Sequence, residues 1–391
     1  MPVRNRLAEM HDEITAWRRQ LHQNPELLYD THATSAFVAD RLREFGCDEV
    51  AEGVGRTGVV GVIRGRTDTR GHVVGLRADM DALPILEATG KPYASKVPGK
   101  MHACGHDGHT AMLLGAARYL CETRSFDGTA VVVFQPAEEG GAGGRAMVED
   151  GLISRWGIRE VYGMHNAPGQ PAGSFSIKPG PFYAATDQFA IHLTGRGGHA
   201  AKPHVTIDPT VVGSHVVLAL QTIASLVADP LQSVVVSVTS FRTESDAFNV
   251  IPERVELRGT VRTFDAGLRA LAEERLKAIA TGTARTFGAT AEVDWRAGYP
   301  AMVNAETETA YAVEVAQEVS GQVDASTSAI MGGEDFAYML EACPGAYIQI
   351  GNGDTADVHH PLYDFNDEVI PVGSSYWVEM VERRMPATRA A

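Results

Sequence analysis

The chain is poor in cysteine and short of positive charge. Its four cysteines, Cys47, Cys104, Cys121 and Cys343, are scattered through 391 residues without the spacing of a disulfide framework. Lys and Arg number 34 against 49 Asp and Glu, a formal charge of -15, and no basic stripe is interleaved with aromatics, which argues against a nucleic-acid surface. That negative field also repels anionic substrates, so holding one requires local positive groups. Met1 to Leu21 read as a charged amphipathic helix with no apolar core, so no signal peptide is expected. No apolar run is expected to span a bilayer. Repeats and low-complexity linkers are missing as well. These features point to a cytoplasmic protein without nucleic-acid or membrane partners. The length suits two domains, and the residues after Arg384 are expected to fray.

What the chain does have is a dense polar cluster. Residues Met101 to His109, M-H-A-C-G-H-D-G-H, put a thiol, three imidazoles and a carboxylate directly before an apolar helical run. Thiolate, imidazole and carboxylate together hold a borderline-soft divalent ion, and so dense a cluster is otherwise costly to bury. Gly105 lets the backbone bend so that Cys104 and His106 reach one ion. The plainer alternative is a polar helix start with Asp107 near the N-cap.

A second motif runs from Gly128 to Gly144, where an apolar stretch, Val131 to Phe134, meets P-A-E-E-G-G-A-G-G. The apolar residues read as a buried parallel strand, and Pro136 ends its ladder. Glu138 and Glu139 then lie beyond the carboxyl end of the strand, where open α/β sheets place ligands. Adjacent carboxylates repel unless a cation or shared proton relieves them. One can bind metal while the other acts as a base on a metal-bound water, although a solvated acidic turn has the same composition. Three more segments repeat the pattern: Val73 to Leu76 before R-A-D-M-D-A-L-P, Val161 to Met164 before His165, and Tyr347 to Ile350 before G-N-G and V-H-H-P.

The centre of the chain reads as a separate module. Strands are expected over Asp187 to Thr194, Ser233 to Phe241, Val255 to Phe264 and Thr290 to Trp295, with helices over Asp208 to Ala228 and Gly267 to Phe287. This β-α-β-β-α-β order fits a ferredoxin-like unit. The predicted fold is therefore α/β: a mainly parallel mixed sheet flanked by helices over residues 1–185 and 298–391, with the inserted module over 186–297.

Taken in order, R-R-Q-L-H-Q-N-P-E-L, L-R-A-D-M-D-A-L-P-I, M-H-A-C-G-H-D-G-H, P-A-E-E-G-G-A-G, G-R-G-G-H-A-A-K-P-H, F-N-V-I-P, G-T-V-R-T-F, M-G-G-E-D-F and H-H-P resemble the amidohydrolase branch of the aminoacylase and carboxypeptidase metallopeptidases. That branch includes hippurate hydrolases, N-acyl amino acid aminoacylases and plant auxin-conjugate hydrolases. The resemblance covers about Arg18 to Val372 and implies a zinc-peptidase-like catalytic domain with a lid and dimerisation module. It implies two divalent ions (Mn, Zn, Co or Ni) bridged by Cys104 and also held by His106, Glu139, His165 and His359. The family pattern aligns His359 as the ligand and puts His360 at a small-residue position, so His360 stays an alternative. Arg77 stands where the wider clan has a metal-binding histidine, and Asp79 becomes a carboxylate behind the ligands that orients an imidazole.

The same resemblance makes Glu138 the general base and His199 an oxyanion donor that reaches into a partner subunit. Asn249 and Arg262 are candidates for holding a substrate carboxylate; Arg262 sits among apolar strand neighbours, where a charge is costly without an anionic partner. Each of these has a structural alternative as an internally paired group. Gly332 and Gly333 are expected to let backbone amides approach the substrate, while Glu334 and Asp335 read as helix caps and His22 as structural. The implied reaction is hydrolysis of the amide of an N-acyl amino acid by an enzyme expected to be a homodimer. A dipeptidase or carboxypeptidase of the same clan is the alternative, and a non-catalytic binder of acyl amino acids the reading from another class.

Overall fold

An eight-stranded mixed sheet organises the larger of two units in the computed structural model, which describes residues 4–387. In spatial order its strands are Glu49–Val54, Gly58–Arg64, Thr129–Gln135, Val73–Asp79, Glu160–Pro168, Gly345–Gly353, Phe175–Ser176 and Val323–Asp324. The four strands from Thr129–Gln135 to Gly345–Gly353 run parallel to one another, and the two at the Glu49 edge join antiparallel. Val131, Val132, Val133 and Phe134 are fully buried, as a strand covered on both faces requires. The helix His106–Thr123 is buried along most of its length and contacts the helices His11–Gln23 and Ile370–Arg384. Gly115 permits that approach, because a Cβ there would stand 2.6 Å from Ile14 Cδ1.

Two strands run further than the apolar stretches that predict them. Val73–Asp79 continues through Arg77 and Asp79, and Glu160–Pro168 includes His165. Polar residues belong inside these strands because partners within the unit satisfy them, so the site begins in the sheet and extends into the loops beyond it. The first helical region is also two helices, Asn5–Glu9 and His11–Gln23, that bury Leu7, Ile14, Trp17 and Leu21. At the other end Met385 is buried and Pro386 bridges Phe126, so the chain is held past Arg384; residues 388–391, where fraying was also expected, lie outside the described residues.

The second unit comprises Pro181–Met302 and Ala329–Glu334. Its boundaries lie about five residues from the expected ones, and it takes in Gly332 and Gly333. Along the chain come the strand Ala185–Thr194, the helix Pro209–Leu220, the strands Val234–Thr243 and Arg254–Thr263, the helix Ala266–Thr286 and the strand Thr290–Ala297. These strands form an antiparallel sheet in the order second, third, first, fourth. Asp208 caps the first helix by accepting from Thr210 N, and Asp265 caps the second by accepting from Leu268 N. Contrary to the sequence expectation, one helical stretch, Pro209–Val227, is by its length of 19 residues and its composition apolar enough to cross a membrane. Val212, Val216, Leu220 and Ile223 give it a buried face within this unit's own core, while Val211, Leu218 and Leu226 remain exposed.

Candidate metal centre

Cys104 and Gly105 form the bend that opens the helix His106–Thr123. Gly105 has φ +96°, and a Cβ there would lie 2.3 Å from Asn166 Nδ2 and 2.5 Å from Tyr363 Oη, so only glycine permits this turn. The turn aims Cys104 and His106 at the end of the parallel sheet. Cys104 Sγ lies 3.3 Å from His165 Nε2 on the strand Glu160–Pro168. Glu139 follows the strand Thr129–Gln135, and its Oε1 is 3.2 Å from His359 Nε2. The ligand atoms of Cys104, His106 and His165 lie within 4.8 Å of one another; so do those of Cys104, Glu139 and His359, and those of His106, Glu138 and Glu139. Cys104, His106 and Glu139 are each common to two of these three donor groups. His359 adopts φ +66°, unusual for a residue with a side chain, and its N–H donates to Ala103 O at 2.7 Å. His360 points elsewhere, with Nδ1 accepting from Leu362 N at 3.1 Å.

The other nitrogen of each inner imidazole is fixed. His165 Nδ1 donates to Asn166 O at 2.7 Å and His106 Nδ1 to Asp81 O at 2.8 Å. Because a carbonyl only accepts, both histidines keep a proton on Nδ1 and turn Nε2 toward the cluster, and that of His106 is buried without a hydrogen-bond partner. Asp81 was not singled out in the sequence, yet its two carboxylate oxygens accept from Glu138 N at 3.0 Å and Glu139 N at 3.1 Å. One aspartate therefore sets the backbone of the candidate base, that of its neighbouring ligand, and the ring of His106. The available signal was the second acid of R-A-D-M-D.

Asp79 orients an imidazole, that of His109, whose Nδ1 lies 2.6 Å from Asp79 Oδ1 and whose Nε2 accepts from Asn166 N at 2.9 Å. Asn166 passes this order on: its Nδ2 donates to Cys104 O at 2.5 Å, and Tyr363 Oη donates to its Oδ1 at 2.8 Å. On the other side Asp79 accepts from Arg77 Nη1 at 2.7 Å. Arg77 Nη2 donates to Asp335 at 3.1 Å, and Asp335 also accepts from Gln135 Nε2 and Gly144 N, each at 2.7 Å. Asp335 is thus no simple helix cap; it ties the strand bearing Asp79 to the turn after the glutamates. His22, read as structural, binds Asp107 Oδ2 at 2.8 Å and so braces the metal-facing helix start.

Electrostatics favour a cation. Burial and the carboxylates of Glu139, Glu138 and Asp79 push the Cys104 thiol well above its ordinary value, a penalty that a bound divalent ion reverses. Burial lowers His106, but Asp79 and Asp81 outweigh it and raise the ring to about 10. His165 is lowered to about 3 by burial and by His109. A soft donor, imidazoles and carboxylates in an acidic, largely buried cluster fit divalent metal, and Cys104, His106, Glu139, His165 and His359 are the residues that could hold it.

The remaining predicted residues belong to the second unit. His199, on the short strand Gly198–His199 paired with Val250–Ile251, is exposed. Its Nδ1 accepts from Ala201 N at 3.0 Å, which leaves the proton on Nε2 as an outward donor. Asn249 is exposed, and its side-chain amide makes no hydrogen bond among the described residues. Arg262 is half-buried and donates to Thr260 Oγ1 and, at 3.1 Å, to Val261 O. It forms no ion pair among the described residues, since the nearby Asp187 carboxylate is taken by Arg269 at 2.6 and 2.9 Å. Gly333 has a local reason to be glycine: a Cβ would stand 2.4 Å from Thr186 Cγ2. Gly332 is exposed, and a Cβ there would meet only ordinary contacts, the nearest Ile330 Cγ2 at 3.5 Å.

Residues 75–383 match the model of peptidase family M20/M25/M40. The chain is 41% identical over 379 residues to the N-acetyl-L-cysteine deacetylase of Bacillus subtilis, covering 96% of this chain and 89% of that one. It is 39% identical over 377 residues to the hippurate hydrolase of Campylobacter jejuni, covering 96% and 97%. Among solved structures it is similar to the YxeP protein of Bacillus subtilis, described as a dinuclear metal-binding peptidase, with a TM-score of 0.84, 36% identity and coverage of 97% and 100%. With its sequence motifs in family order and its candidate ligands gathered at one end of the sheet, the chain belongs to peptidase family M20/M25/M40.

Proposed function

We propose that the protein is a metal-dependent amidohydrolase that cleaves N-acyl amino acids to a carboxylic acid and a free amino acid. The observation that carries this reading is the placement of Glu138 beside a five-residue donor set that shares Cys104. When bound, two divalent ions supply Lewis-acid polarisation of the acyl carbonyl and a more acidic water. Glu138 takes a proton at its carboxylate from the attacking water as the water oxygen bonds to the acyl carbon, and returns it to the amide nitrogen as the C–N bond breaks. His199 donates from Nε2 to the developing oxyanion, and Arg262 with Asn249 holds the substrate carboxylate. The unpaired guanidinium of Arg262 suits that role, because an anionic ligand relieves its burial.

We read the second unit as a ferredoxin-like lid and dimerisation module, with His199 serving the site of a neighbouring copy. Its strand order and the exposed Val211, Leu218 and Leu226 support a second copy of this chain as partner. The four free thiols suit the reducing cytoplasm in which we place the enzyme. The test is hydrolysis of hippurate and a panel of N-acyl amino acids, against dipeptides and carboxypeptidase substrates, after loading with Mn, Co, Ni or Zn. Turnover confined to N-acyl amino acids is expected. Faster cleavage of dipeptides would move the assignment to the peptidase alternative, and binding of hippurate without turnover to a non-catalytic role.

A further inference from the structure

Cys47 and Cys121 are 74 residues apart in the chain, yet their sulfur atoms lie 3.6 Å from each other. Both are free thiols, and neither belongs to the metal centre. Cys47 is half-buried and follows Gly46, which ends the helix His32–Phe45 at φ +83° with open space where a Cβ would stand. Cys121 is buried in the last turn of the helix that begins at His106. The separation is van der Waals contact, and a disulfide bond of about 2.05 Å needs roughly 1.5 Å of closure. Arg124 supplies a cation beside them, donating to Gly46 O at 2.8 Å and to Asp48 at 2.7 Å.

We propose that Cys47 and Cys121 form a redox-reactive dithiol that a hydroperoxide converts into an intrachain disulfide. In the first step Cys47 loses its proton, and its sulfur attacks the hydroperoxide; the O–O bond breaks, leaving a sulfenic acid and releasing an alcohol, or water from hydrogen peroxide. Cys121 sulfur then attacks the sulfenic sulfur, its proton leaves with the hydroxyl as water, and the S–S bond forms. Overall two thiols lose two electrons and two protons to the peroxide. The half-exposed Cys47 meets the oxidant, and the buried Cys121 resolves it before further oxidation. The shared hydrogen bond, followed by burial, holds the Cys47 thiol above its ordinary value, so its reaction with the hydroperoxide is slow, and Arg124 favours the small thiolate fraction that reacts. The link would span the segment that contains Asp79, Asp81, Cys104 and His106, restricting the unfolded chain where two of the five candidate ligands are encoded. The competing account is two small side chains packed in a core, which predicts no special chemistry.

The experiment exposes the metal-loaded protein to hydrogen peroxide, quenches with N-ethylmaleimide and maps peptides without reduction. A Cys47–Cys121 linked pair is expected, reversed by dithiothreitol, with Tm raised by roughly 5 °C over the reduced protein. The link and the shift should both vanish in Cys47→Ser and in Cys121→Ser. Sulfinic acid at Cys47 with Cys121 still alkylated, links only to Cys104 or Cys343, or four unmodified thiols would each overturn the proposal. The wild-type map decides the question even if a serine variant folds poorly.

Discussion

The two units treat their polar groups in opposite ways. In the larger one the ligand side chains are locked from behind: His106 through Asp81, His165 through Asn166, and Asn166 in turn by His109 and Tyr363. In the smaller one His199 Nε2 and the amide of Asn249 make no hydrogen bond, and the guanidinium of Arg262 forms no ion pair, among the described residues. Ligands to an ion must be held within a few tenths of an ångström before the ion arrives. Groups that meet a substrate keep their donors free for it. The contrast fits the proposed roles: donors fixed within the larger unit suit metal, and the open donors of His199 and Asn249 suit substrate.

The sharpest way to break that contrast is Glu138→Gln, which keeps size and hydrogen bonding but removes the base. A loss of ~10² to 10⁴ in kcat is expected with metal content unchanged, since general acid–base removal typically costs that much. Near-wild-type turnover by a fully loaded variant would place the proton transfer elsewhere.

Mixed dimers probe the unspent donors. If His199 serves a neighbouring copy, Glu138→Gln and His199→Ala, inactive apart, should regain roughly half of wild-type activity when co-expressed with different tags and purified as a heterodimer, an estimate from two-fold symmetry. A mixed dimer as inactive as its parents would put His199 in its own subunit or outside the reaction.

The locked side of the contrast is tested behind the ligands. Asp335→Asn removes the charge that holds Arg77 on Asp79, and a drop of about 10- to 100-fold in metal affinity is expected, as for other supporting groups. Titration of the metal-free protein with Co(II), followed by the thiolate charge-transfer band, reads this without activity. An unchanged affinity would show that Arg77 needs only Gln135, which accepts from its Nε at 2.8 Å.

A smaller effect should appear at His22. Burial lowers its pKa, but Asp107 and Glu87 outweigh that and raise it to about 9. A folded value above the unfolded one means that this stabilisation is fully present below about pH 6.5 and fades as pH rises through about 9. His22→Gln should therefore lose part of the wild-type fall in Tm between pH 6.5 and 9, seen as a flatter profile. Identical profiles would assign the pH dependence to other groups.

The motifs already contained much of this. The apolar runs locate the parallel strands, the change of period locates the helices of the inserted unit, and Cys104, His106, Glu138, Glu139, His165 and His359 stand out by residue type and position. Those features are local, set by side-chain chemistry and by spacing along one backbone. The choice between His359 and His360 was not local, because it depends on a left-handed backbone held by Ala103. Nor was the partner of Asp79, since Arg77, Asp335 and His109 reach it from different elements. Asp81 looked like one more acid until two amides from beyond a separate strand converged on it. Residue type and spacing along the chain were enough to say which chemistry is present and at which end of the sheet it gathers. Which atom of each group remains available depends on packing, because a buried donor or acceptor is satisfied by whatever distant segment the fold brings to it.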